Sequence, residues 1–182
     1  MKKLILTLFI LMFSMSCFSA EKPRWVSQPI CVYIPPEYGN MSRLMKQAFD
    51  AWQIKSNGLV RFKYVNSKSS ANIEVEFVDF VSNCNDANAV GCTEMATKGP
   101  YYYKSYVTIG TKEYVRDYSN GYTRKIVERS KDHIYGVMLH EAGHAIGLNH
   151  SENNGSIMYP YDLDSMQYLT DEDMALLYKK YH

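Results

Sequence analysis

Eleven consecutive residues constrain this chain more than any others: His140-Glu141-Ala142-Gly143-His144-Ala145-Ile146-Gly147-Leu148-Asn149-His150. They hold three of its five histidines. The periodicity predicts a helix over residues 132–146. Within it His140 and His144 are four apart, so they share one face and stand roughly 6 Å apart along the axis. Two imidazoles placed this way can converge on one ion. His150 would lie about 9 Å further along and about 240° round if the helix continued. For it to join the others the chain must break and turn back. Gly147 stands where that break is needed, because glycine accepts the left-handed backbone that ends a helix.

Three neutral imidazoles occupy three corners of a tetrahedral Zn²⁺ site and leave one for water, which marks a catalytic rather than a structural site. The ion lowers the pKa of that water towards about 7 and polarises a carbonyl. Glu141 lies about 100° round the helix from His140. It is badly placed to be a ligand but within reach of the water, where a carboxylate serves as general base and then returns the proton to a leaving amine. Metal, water and base together describe hydrolysis of an amide. A bare H-E-x-x-H is a weak signal; the added Gly147 and His150 at fixed offsets make it a strong one. Gly143 removes bulk beside the metal face at a helix-propensity cost of about 1 kcal/mol, and close packing against another backbone is one option for what that cost serves.

Composition sets the frame. The 182 residues are 46% hydrophobic and 21% charged, which suits one ordinary globular domain. The formal charge of +1 carries no electrostatic footprint for nucleic acid. Residues 1–19 read as a secretory signal peptide: basic Met1-Lys2-Lys3, an apolar run over 4–13, then small residues. The run is too short for a membrane span. Cleavage after Ser19 fits better than after Ala20, which would put Phe18 three residues upstream. Lipid modification of Cys17 is the weaker alternative, since Ser14-Met15-Ser16 makes a poor lipoprotein box. The expected location is secreted or periplasmic. Loss of Lys2 and Lys3 leaves 18 basic against 19 acidic residues, a charge of −1.

Residues 20–182 then form one domain, with no repeat or long linker. A strand over 30–34 ends at Pro35-Pro36. A helix over 41–54 carries Met41, Leu44, Met45, Ala48 and Trp52 at helical spacing and stops at Asn57-Gly58. Strands follow over 59–65 and, by strict alternation of Ile73, Val75 and Phe77 against Asn72, Glu74 and Glu76, over 71–78. Residues 106–109 make a further short strand, and 114–129 have no clear assignment. Thr170 with Asp173 three residues on caps a terminal helix striped by Met174, Leu177 and Tyr181. The class is α+β.

In an exported chain Cys84 and Cys92 make the favoured disulfide, closing a short polar loop. Cys31 reads as a buried thiol in a strand. Nothing else in the chain spells a zinc knuckle, and no D-x-D-x-D-G loop supports calcium.

Residues 140–150 resemble the long zinc signature of the metzincin metallopeptidases. Ser156-Ile157-Met158-Tyr159-Pro160 resembles their Met-turn, in which a methionine packs beneath the metal. Ser151 after the third histidine and Pro160 two after Met158 resemble the matrixin branch; astacin-like and serralysin-like members carry a tyrosine at the latter position. Residues 71–77 and 48–52 fall where a matrixin sheet strand and first helix would. The resemblance implies a twisted mixed β-sheet packed on two helices, with a small C-terminal subdomain ending in a helix. It implies an extended protein or peptide substrate added to an edge strand, expected within residues 90–96, and a specificity pocket walled by Tyr159, Pro160 and Tyr161.

There are departures. Matrixins that hold a structural zinc use several histidines, and only His133 and His182 remain here. No cysteine-latch pro-segment is expected, so control would fall to export or to a protein inhibitor. His133 reads as a surface residue and Tyr101-Tyr102-Tyr103 as a half-packed cluster. The resulting expectation is an exported, monomeric zinc endopeptidase: His140, His144 and His150 bind the metal, Glu141 activates water, Met158 forms the floor. A zinc-carrying, adhesin-like binding module and a cell-wall amidase are the alternatives. Glu141 and the open coordination position speak against the first, the extended groove against the second.

Overall fold

The computed structural model describes residues 23–84, 86, 88–118, 123–161 and 168–182. The expected leader and Cys17 lie outside them. Ten main elements follow in order: β1 (Ile30–Tyr33), α1 (Asn40–Lys55), β2 (Phe62–Tyr64), β3 (Ile73–Val78), β4 (Gly91–Lys98), β5 (Tyr101–Gly110), β6 (Lys112–Asp117), β7 (Thr123–Glu128), α2 (Lys131–Ala145) and α3 (Asp171–Tyr181).

Five strands form one mixed sheet in the order β2-β1-β3-β5-β4. β1 pairs in parallel with β2 and β3, and β3 with β5; β4 alone runs antiparallel. Parallel neighbours need a crossover, and α1 supplies the one between β1 and β2. The alternation read in β3 is the one observed: Ile73, Val75 and Phe77 are buried, facing the core. That face meets Met45, Ala48, Phe49 and Trp52 of α1 and Ile134, Val137 and Met138 of α2, all buried. α1 ends where expected, with Asn57 and Gly58 both at positive φ and the Gly58 N–H returning to the Gln53 carbonyl at 2.9 Å.

α2 is the central element. Ten of its residues are buried, on every side of the helix, which is the signature of a helix enclosed by the rest of the fold. Both tryptophans of the chain hold it by their indole N–H groups: Trp52 donates to the Leu139 carbonyl at 2.9 Å and Trp25 to the Ala145 carbonyl at 2.8 Å. The Trp25 bond satisfies a carbonyl that the helix end leaves without an intrahelical partner.

Several boundaries differ from the expectation. β2 covers only 62–64, because Leu59 and Val60 belong to the turn leaving α1. β5 spans ten residues rather than 106–109. Its first half carries exposed Tyr101 and Tyr103, so no hydrophobic period announces it. Tyr102 is half-buried, its ring centroid 5.9 Å from that of Trp25. The unassigned 114–129 segment is largely the β6–β7 hairpin, pairing Tyr114 with Ile126. Both of those residues are exposed; β6 half-buries Glu113, Val115 and Asp117 in alternation, but only Val115 of these is apolar, so no hydrophobic period announces the ribbon. Cys31 is half-buried rather than buried, and free. Cys84 and Cys92 are joined, with Cα atoms 6.0 Å apart. His133 is half-buried in the first turn of α2, its N–H on the Ser130 hydroxyl that caps the helix. Among the described residues no helix is long and apolar enough to cross a membrane.

Candidate metal centre and active site

The helix stop at Gly147 sets the site. Gly147 has φ +97°. Its N–H bonds the His144 carbonyl at 2.8 Å, and the Leu148 N–H bonds the Gly143 carbonyl at 3.0 Å. This pair of reversed bonds is the Schellman closure, built around a left-handed residue. The chain turns back as the spacing required, and His150 arrives beside the other two rings. Ring centroids are 4.6 Å apart for His140–His144, 4.8 Å for His144–His150 and 5.2 Å for His140–His150.

One ring nitrogen from each histidine lies within 4.8 Å of the others, so the three could hold a metal ion. Zn–N bonds of about 2.0–2.1 Å in a tetrahedron put ligand nitrogens about 3.3 Å apart. The His140 and His144 Nε2 atoms are 3.0 Å apart, close to that spacing. The other ring nitrogens are already committed. His140 Nδ1 donates to the Ile157 carbonyl at 2.7 Å, and His144 Nδ1 to the Leu148 carbonyl at 2.8 Å. These bonds fix the tautomer that leaves both Nε2 lone pairs available to a cation. Burial, followed by the neighbouring His144, pulls the His140 pKa down to about 3, and burial pulls His144 down to about 4. Both rings are therefore neutral at physiological pH, the form that ligates.

Glu141 is also buried, at 5% exposure. Its Oε2 accepts a hydrogen bond from Thr93 Oγ1 on β4 at 2.6 Å. Burial pushes its carboxyl up to about 7, against the opposing pull of the Thr93 hydroxyl. Thr93 was not visible as a site residue in the sequence; it lies 48 positions from Glu141, in a segment that only the family resemblance marks as an edge strand. β4 is an outer strand of the sheet, as expected for residues 90–96, and continues to Lys98. The Gly110 N–H bonds the Val90 carbonyl at 2.8 Å. By the antiparallel alternation Cys92 and Glu94 also bond inward to β5, while the backbone groups of Gly91, Thr93 and Met95 point to the open edge.

Below the histidines the Met-turn closes the site. Met158 is fully buried, and its carbonyl accepts the Ser151 N–H at 2.8 Å, which ties the turn to the residue after His150. Its N–H bonds Ser156 Oγ at 3.0 Å. Ser156 in turn donates to Asp173 Oδ1 at 2.5 Å, and Asp173 Oδ2 accepts from the Thr170 N–H and hydroxyl at 2.7 and 2.8 Å. The capping box of α3 is thus also the anchor of the Met-turn. Only the cap half of that role could be read from the sequence. Gly143 faces the side chains of Met158 and Trp52 rather than another backbone. Tyr159 and Pro160 are half-buried and Tyr161 is exposed, with the two tyrosine rings 5.7 Å apart.

Residues 35–182 match the family described as Matrixin. The chain belongs to the matrixin family. Matrixins are zinc-dependent metalloproteases, and the donor set found here, three imidazoles beside a buried carboxyl, fits that metal. A 28-residue stretch is 64% identical to a protein of Trichoplusia ni ascovirus 2c named "Putative matrix metalloproteinase". That stretch is 15% of this matrixin and 6% of its relative, so the chain spans only a small part of the viral protein.

Proposed function

We propose that this matrixin is an exported zinc endopeptidase. Its substrate would be a protein segment laid in extended form along β4. The observation that carries the reading is the pairing of two features on one helix turn. His140 and His144 have Nδ1 locked to carbonyls and Nε2 available, and Glu141 stands between them in sequence with its carboxyl near neutrality. His140, His144 and His150 would hold zinc, which when bound would supply Lewis acidity and acidify a water molecule. Glu141 takes the proton of the attacking water on Oε1, the oxygen that Thr93 leaves uncommitted, and delivers it to the leaving amine. A carboxyl with a pKa of about 7 suits both directions of that transfer.

The chain's other residues position the substrate. Gly91, Thr93 and Met95 offer backbone donors and acceptors along the open edge of β4, so a peptide can add as a further strand. Tyr159, Pro160 and Tyr161, directly after Met158, wall the pocket for one substrate side chain. Export rests on the leader pattern of residues 1–19.

The test is cleavage of a proteome-derived peptide library by the zinc-loaded protein. Cleavage by wild type, its loss on chelation, its return with zinc, and its absence in Glu141→Gln protein that still binds one zinc are the expected results. A wild type that carries zinc and cleaves nothing would favour a binding module; cleavage by Glu141→Gln at the wild-type rate would remove the general base.

A further inference from the structure

We propose that Thr93 is the positioning residue for Glu141, and that Gly91 is the residue that makes room for it; the inference deepens the peptidase reading above and rests on it. Side chains on a strand alternate, so Gly91, Thr93 and Met95 face α2 while Cys92 faces away. Glu141 crosses from α2 onto this face. A β-carbon at position 91 would stand 2.5 Å from Glu141 Cγ and Oε1 and 2.8 Å from Cδ, so only glycine leaves the carboxylate its place. Two residues on, Thr93 Oγ1 lies 2.6 Å from Glu141 Oε2 and 3.2 Å from the Glu141 carbonyl oxygen. A hydroxyl has one proton to give, and the nearer, charge-bearing acceptor takes it.

The consequence is geometric. A glutamate has three side-chain torsions and could point its carboxylate in several directions. With one side against Gly91 and Oε2 held by Thr93, Oε1 alone is left for a water. Thr93 also turns its backbone N–H and C=O to the open edge, where a substrate strand would pair. The residue that would register the substrate is therefore the residue that aims the base. Cys92, between Gly91 and Thr93, is tied to Cys84 on the other face, which holds this part of β4 in place.

The experiment compares Thr93→Val, which keeps the shape and loses the hydroxyl, with Thr93→Ser, which keeps the hydroxyl. The expected kcat for Thr93→Val is lower by about 10- to 100-fold, the usual cost of losing a partner that orients a reacting group, with KM within about threefold and zinc stoichiometry unchanged. Thr93→Ser is expected to recover most of the loss. In parallel, crystal structures of the metal-free proteins should show the Glu141 carboxylate displaced in Thr93→Val and in place in Thr93→Ser. If Thr93→Val fails to fold, Thr93→Ala takes its part. Equal impairment of the valine and serine variants, or an undisplaced carboxylate in the valine variant, overturns the proposal. If wild type itself cleaves no peptide, the peptidase reading falls, while the crystal structures still decide whether Thr93 holds Glu141.

Discussion

Gly143 is packed directly against Met158: a β-carbon there would collide with the Met158 sulfur and stand 2.9 Å from Trp52 Cζ2. On an ordinary helix Gly→Ala stabilises by about 1 kcal/mol. Here Gly143→Ala should destabilise, since the methyl has to displace fully buried neighbours, at about 1–3 kcal/mol for overpacking. The Met-turn would be pushed from beneath His140 and His144, and zinc affinity should fall with stability. Chemical denaturation and competitive zinc titration check both, and a more stable Gly143→Ala protein would contradict the packing described.

Gly147 tests the backbone reversal. At φ +97° an alanine is strained, and its β-carbon would lie 2.7 Å from Tyr102 Cε2 and 3.0 Å from Lys180 Cε. The left-handed backbone alone costs about 1–2 kcal/mol. Gly147→Ala should lower stability by at least that amount. It should also weaken zinc binding by more than any change confined to the surface of α2, because His150 reaches the other rings only through this turn. Zinc affinity equal to wild type would show that His150 finds its place without the glycine.

The Cys84–Cys92 bond closes a loop of eight residue steps. A loop this short is worth about 2–3 kcal/mol of unfolded-state entropy. The Cys84→Ser, Cys92→Ser double variant should lose about that much in urea denaturation. Amide exchange should quicken first over Gly91 to Met95, the part of β4 nearest the bond. Unchanged protection there would mean that β5 pairing alone holds the strand.

The metal-free protein should be sensitive to mild acid. Between pH 6.5 and 4.5 the unfolded chain protonates both His140 and His144, whose native pKa values burial lowers to about 3 and 4. Glu141 works in the opposite direction: its raised native pKa, about 7, lets the folded protein hold a proton the unfolded chain releases. The unfolded state therefore binds a net one proton more, and stability should drop by about 1.4 kcal/mol per pH unit as pH falls through this window. Glu141→Gln removes the opposing carboxyl and should roughly double the slope. Denaturation midpoints of chelator-treated wild type and variant at pH 6.5, 5.5 and 4.5 read the two slopes; parallel lines would contradict the burial of Glu141.

The amino-acid sequence on its own determined which three histidines could gather round a metal ion, the break at Gly147, the alternating strand at Ile73 to Phe77, the α1 stop at Asn57-Gly58 and the cap at Thr170. Each depends on a short-range rule: helical or strand periodicity, or the freedom of a residue without a β-carbon, and such rules act over a few positions. Tertiary structure decided the rest. It set Thr93 against Glu141, joined Ser156 of the Met-turn to Asp173 of the last helix, and placed Met158 and Trp52 where Gly143 has no side chain. These contacts link residues far apart in the chain, at no fixed spacing. The β6–β7 ribbon carries no local signal for a related reason: the alternate residues that β6 half-buries, Glu113, Val115 and Asp117, make no apolar stripe. What a side chain touches across such distances is chosen by the packing of whole elements, and that choice leaves no local mark in the order of residues.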